Sequence, residues 1–136
     1  MALVVIALLS AVALPAYRQH QRQIRRTDAI SALTSAQQLQ ERWRSSHNSY
    51  SAQLGSGGLG LGTVSPAGHY QLAASTAAES AGSSYTLSAE AIGPQSADTR
   101  CRHWQISVRD GALLYFSGAD ATLANDAAEN RRCWRQ

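Results

Sequence analysis

Hydrophobic positions change their spacing twice along the chain. From Met1 to Tyr17 (MALVVIALLSAVALPAY) there is no charge, and then Arg18, Arg22, Arg25 and Arg26 arrive in a burst. A charge-free run suits lipid or the inside of a helix bundle. Crossing a bilayer takes ~20 apolar residues at ~1.5 Å rise each, so this run is a little short. From Ala16 to about Ser46 the spacing is helical. Ala29, Ala32, Leu33, Ala36, Leu39 or Gln40, and Trp43 recur at i, i+3, i+4 and i+7, while Asp28, Thr34, Ser35, Gln38 and Arg42 fall elsewhere on the wheel. Pro15 sits inside the combined helix and should kink it, because it lacks an N–H and clashes with the preceding turn. A helix of ~40 residues at ~1.5 Å each would run ~60 Å, longer than a domain of this size needs.

Past Ser45–Tyr50 (SSHNSY) the chain is Gly- and Ser-rich to residue 66, which reads as a flexible loop. The segment Gly55-Ser56-Gly57-Gly58-Leu59-Gly60 matches G-x-G-x-x-G, but no strand precedes it and no helix opens after it, so it is not a dinucleotide site. The period then becomes two. His69–Ala74 puts Tyr70, Leu72 and Ala74 on one face, and Tyr85–Ala91 puts Tyr85, Leu87, Ala89 and Ala91 on one face. Arg102–Val108 alternates Trp104, Ile106 and Val108 against His103, Gln105 and Ser107, and Asp110-Gly111 turns the chain into Leu113–Phe116. Three or four antiparallel strands with one apolar face need a cover, which the stripe from Ala29 to Trp43 supplies. By parity Cys101 falls on the face away from that helix, so a bond to Cys133 would pin the 117–133 tail on the outer face or edge of the sheet.

Composition narrows the function. All 12 basic residues are arginine. Residues 1–44 carry six of them against Asp28 and Glu41, residues 45–99 carry three acids and no arginine, and residues 100–136 carry six arginines against four acids. Basic ends around an acidic middle imply anionic partners at two places, or subunits that attract one another; an arginine that merely solubilises the surface is the plainer alternative. Cys101 and Cys133 are too far apart for a C-x-x-C pair, and no histidine spacing completes a zinc site. Beside a membrane-type segment they read as a disulfide in an oxidising compartment, with free buried thiols the alternative. G-x-S-x-G, H-E-x-x-H and G-K-[ST] are absent. The four histidines lie in different elements, so no enzyme, cofactor or metal is expected. A secretory signal would explain the Ala11-Val12-Ala13 site but lacks a basic n-region, and a buried core helix is a further alternative for the apolar run.

The run ending at Pro15 and Tyr17, followed by Arg25–Leu33 (RRTDAISAL) and Glu41–Tyr50 (ERWRSSHNSY), resembles the type IV pilins. Within them the chain is similar to the PilE/ComP group of minor pilins. The residues that carry this are Tyr85-Thr86-Leu87-Ser88-Ala89, Cys101 at the opening of the next strand, and Cys133-Trp134 at the end. The resemblance implies an α+β pilin fold, with a long N-terminal helix packed on a 3–4-stranded antiparallel sheet and a disulfide-closed C-terminal loop. Residues 1–17 would be the transmembrane and filament-core segment, and residues 18–136 the head. The assembly helix would present Leu3, Val4, Val5, Ile6, Leu8, Leu9, Val12, Leu14, Pro15 and Tyr17. Members of the family begin with a basic leader, a Gly before the cut, and a Phe-Thr-Leu-Ile-Glu stretch. Aligned on Pro15, those residues would precede Met1, so the upstream DNA is expected to encode them. Without a leader to outweigh it, the arginine burst on the periplasmic side runs against the positive-inside rule.

The implied function is a minor structural subunit of a type IV pilus, supporting assembly, adhesion or twitching motility. It would be held in the inner membrane with its head in the periplasm before joining other pilins in an extracellular filament. The alternative is a ComP-like minor pilin that binds double-stranded DNA as a receptor in natural transformation. Arg100, Arg102, Arg109, Arg131, Arg132 and Arg135 cluster in sequence around the two cysteines, with Trp134 available to stack on a base. Arg18, Arg22, Arg25 and Arg26 belong to the helix beside the membrane, remote from that cluster. No small-molecule substrate is implied.

Overall fold

The computed structural model describes residues 2–135, with side chains from Val4 onward. Helix α1 (Ala2–Arg44) leads to strands β1 (Tyr70–Ser75), β2 (Ser84–Ala91), β3 (His103–Arg109) and β4 (Ala112–Gly118), and helix α2 (Ala127–Trp134) ends the chain. The strands form one sheet in the order β1-β2-β3-β4, every pair antiparallel. The architecture is α+β, as the alternation and the long helical stripe predict. α1 continues as helix through Pro15.

One apolar face of the sheet meets α1. Pairing sets Leu72 opposite Ala89, Ala89 opposite Trp104, and Leu87 opposite Ile106, so their side chains share a face. Ala29, Ala32, Leu33 and Ala36 of α1 close over them, and all are buried. Alanine at three of these four positions leaves little side chain between helix and sheet, which lets Tyr70, Tyr85 and Trp104 occupy the space. The β3–β4 turn places Asp110 at φ 50° and Gly111 at φ 82°, both left-handed, as a two-residue type I′ hairpin requires.

Three departures from the sequence reading have physical causes. Asp28, assigned to the polar side of α1, is buried: its carboxylate accepts from the Ser65 hydroxyl and from the N–H groups of Ala67 (3.0 Å) and His69 (3.2 Å). The Gly/Ser-rich loop is anchored rather than free. Leu54 and Leu59 enter the core, and the Gln40 amide bonds Ser51 in both directions, at 2.6 and 2.9 Å. Gly58 lies so close to the Gln53 carbonyl that a Cβ would stand 2.1 Å from its oxygen. The cysteine tail also lies on the opposite side from the one parity gives. β3 begins at His103 after a bend at residues 101–102, which breaks the alternation, and Cys101 turns into the core. Cys101 and Cys133 are bonded, with Cα atoms 5.7 Å apart. The C-terminal segment is a helix, α2, on the same face of the sheet as α1.

Val4, Val5, Ile6, Leu8, Leu9, Val12, Leu14 and Tyr17 are 55–75% exposed along the first half of α1. The side chain of Leu3 lies outside the described residues. Among the described residues, no helix is long and apolar enough to cross a membrane.

Candidate functional site

The disulfide brings α2, the segment before β3 and the middle of α1 together. α2 starts where Asp126 caps it, its carboxylate accepting from the N–H groups of Ala128 (2.9 Å) and Glu129 (2.8 Å). These bonds, the one from Glu129 foremost, hold the Asp126 carboxyl below the usual carboxylate range. Asn130 accepts from the Ser117 hydroxyl at 2.7 Å and donates to the Tyr115 carbonyl at 2.9 Å, fixing α2 on β4.

Between α1 and α2 runs an open groove of about 530 Å³. Arg26 and His20 line it from one side, and Arg100, Arg132 and Arg135 from the other, with Glu129 among them. Glu129 lies 3.7 Å from Arg100 and 3.2 Å from Arg132, one carboxylate shared by two guanidiniums. Arg26 makes a two-pronged bond to Asp98 at 2.6 and 2.8 Å, which raises its pKa against the effect of burial. Among the described residues, Arg131 and Arg135 are exposed and have no acidic partner.

The structure therefore gathers Arg100, Arg132 and Arg135 at one groove, with Arg131 on the same short helix. Arg102 stands in the same segment, half-buried, its Nε donating to the Ser96 carbonyl at 2.8 Å. Arg109 stands apart. It is at the far end of β3, about 20 Å along the strand from His103 at ~3.3 Å per residue, and lines a hydroxyl-rich cleft with Ser75, Thr76 and Ser80. Trp134 is occupied: its ring meets Trp104 at 5.1 Å and Tyr115 at 4.9 Å edge-on, and its Nε1 donates to the Phe116 carbonyl at 3.2 Å. It is a packing residue, not a free stacking platform.

Sequence reasoning left Arg26 out of this cluster. Its groove partners are at least 74 positions away, and only the fold of α1 onto the disulfide segment joins them. Asp126-Ala127-Ala128-Glu129 has the acidic cap and trailing Glu that precede many helices, and it was the available signal for α2. Among the described residues, no group of His, Cys, Asp and Glu is placed to hold a metal ion.

A long helix whose second half packs on a four-stranded antiparallel sheet, with a disulfide joining the sheet to the terminal segment, defines a pilin-type subunit. The narrower assignment follows from residues 15–105, which match the family described as type IV minor pilin ComP, DNA uptake sequence receptor, and the chain belongs to that family. No curated protein matches it. β4, α2, Cys133 and the arginines from Arg109 onward lie beyond the matched residues.

Proposed function

We propose that this chain is a minor subunit of a type IV pilus that captures duplex DNA on its α2 side. Arg100, Arg131, Arg132 and Arg135 would contact phosphates, and the groove beside α1 would receive the backbone. The convergence of arginines from three separated segments on one groove, with Glu129 the only acid among the described residues lining it, is the observation that carries this reading. Such contacts give affinity and register without reading sequence. Any preference among sequences would come from base contacts or duplex shape.

The apolar half of α1 supports the assembly part of the proposal. Its exposed Val, Leu and Ile side chains carry no charge, so the same surface serves in lipid and in a bundle of other pilins. On this reading residues 1–17 are the membrane and filament-core segment and residues 18–136 the head. The head is periplasmic before assembly and extracellular afterwards. Adhesion and twitching motility would be properties of the filament it joins. The role is structural and receptor-like, with no catalytic step.

Binding of a duplex to the full chain in nonionic detergent, titrated across ionic strength, tests the DNA reading. The log–log slope should be about −0.9 per phosphate neutralised. Arg131→Ala with Arg132→Ala should flatten it by roughly one to two units. Absence of salt-dependent binding at low ionic strength would leave the arginines as a solvated or subunit-facing surface.

A further inference from the structure

Arg18, Arg22 and Arg25 line a second cleft, of about 340 Å³, which Pro94 borders from the turn at Gly93–Ala97. Spaced i, i+4 and i+7, the three share one face of α1, and like charges at that spacing repel. Among the described residues none of them has an acidic partner. Asp98, the acid of the adjoining segment, is already engaged by Arg26. Arg22 and Arg25 are half-buried, and among the described residues no acidic side chain pairs with either. Tyr17 and Gln21 stand on the same rim, the Gln21 amide donating to the Tyr17 hydroxyl at 2.9 Å. This donor set calls for an anion with several acceptor oxygens.

Position identifies which anion. Arg18 follows Tyr17, the last residue of the exposed apolar run, so the cleft opens where the greasy half of α1 stops. An acyl chain lying along Val4–Leu14 would carry its phosphate to this level. Tyrosine and arginine at such a boundary are the residues that meet lipid headgroups, and a basic patch beside an apolar segment is drawn to anionic lipid at the membrane surface. A duplex entering here would press its phosphates against the apolar half of the helix.

We propose that this cleft binds the phosphodiester of an anionic phospholipid, which seats the neck of the subunit at the bilayer surface until other pilins replace the lipid. The proposal rests on the apolar half of α1 being the membrane segment. It is independent of the DNA reading.

The test uses the full chain in nonionic detergent, offered equal amounts of phosphatidylglycerol and phosphatidylcholine, with retained lipid counted by native mass spectrometry. Phosphatidylglycerol should be retained about tenfold over phosphatidylcholine. Replacing Arg18, Arg22 and Arg25 together by Gln should bring the two to parity. Replacing Arg131, Arg132 and Arg135 by Gln should leave the preference intact, even though it weakens DNA binding. Equal retention of both lipids by the unaltered chain overturns the proposal, and that comparison needs no variant to fold. Retention of neither lipid overturns it together with the membrane reading of α1. Stripping of phosphatidylglycerol by a duplex oligonucleotide would assign the cleft to DNA and also overturn it.

Discussion

Asp28 sits between alanine-lined turns of α1 and still accepts three hydrogen bonds from residues 65–69, so it fixes where the long loop rejoins the helix. Asp28→Ala would leave the Ser65 hydroxyl and two backbone N–H groups short of a partner. A loss of about 1–3 kcal/mol is expected, read as a lower urea midpoint with an unchanged slope. The sequence could not show this role, because helical periodicity reports one face at a time and the donors lie 37 to 41 positions away. Tyr70 is the complementary case: its burial in the core is legible from strand alternation, its chemistry only from the fold. Burial pushes its hydroxyl up to about 12, while the Gln95 amide donating to it pulls the other way. The folded state then holds the Tyr70 proton more tightly than the unfolded chain does. The contribution of Tyr70 to stability is full below about pH 10 and is lost as pH rises toward 12. Absorbance of tyrosinate and far-UV circular dichroism, followed together through that window, should show Tyr70 ionising with unfolding.

The strands were the most legible elements, because alternation of Tyr85, Leu87, Ala89 and Ala91, and of Trp104, Ile106 and Val108, leaves only one face that can meet α1. Their observed ends differ from the pattern by a few residues at most, as where β3 starts at His103 instead of Arg102. α2 was not legible from periodicity. Eight residues give barely two turns, and its apolar contribution is concentrated in Cys133 and Trp134. Tertiary contacts hold it: the disulfide, Trp134 between Trp104 and Tyr115, and Asn130 on β4. Closing a loop of this length contributes roughly 3–4 kcal/mol in the chain-entropy account. Cys133→Ser should therefore raise amide exchange across Ala127–Trp134 well before it raises exchange in β2 and β3. Equal loss of protection in all three would show that the bond holds the whole sheet and not α2 in particular.

Across the molecule, arginines that are scattered in sequence meet at one end of the head. Glu129 moderates their field by holding Arg100 and Arg132. On the DNA proposal, Glu129→Gln should tighten duplex binding at low salt and steepen the salt slope by about one unit if it frees an arginine for a phosphate; unchanged binding would count against this groove as a DNA site. Arg109 shows where reading a cluster from sequence fails, since a seven-residue strand carries it away from neighbours only a few positions earlier. The bonds between α1 and the rest of the head have a mechanical consequence. They are made at the Arg22 carbonyl, Arg26, Asp28, Gln40, Glu41 and Arg44, a stretch of about 33 Å at 1.5 Å per residue. Tension applied to the N-terminal half of the helix would load them side by side, in shear, instead of peeling them one after another. A subunit gripped by its helix and dragged against resistance should thus keep its head until several bonds fail together.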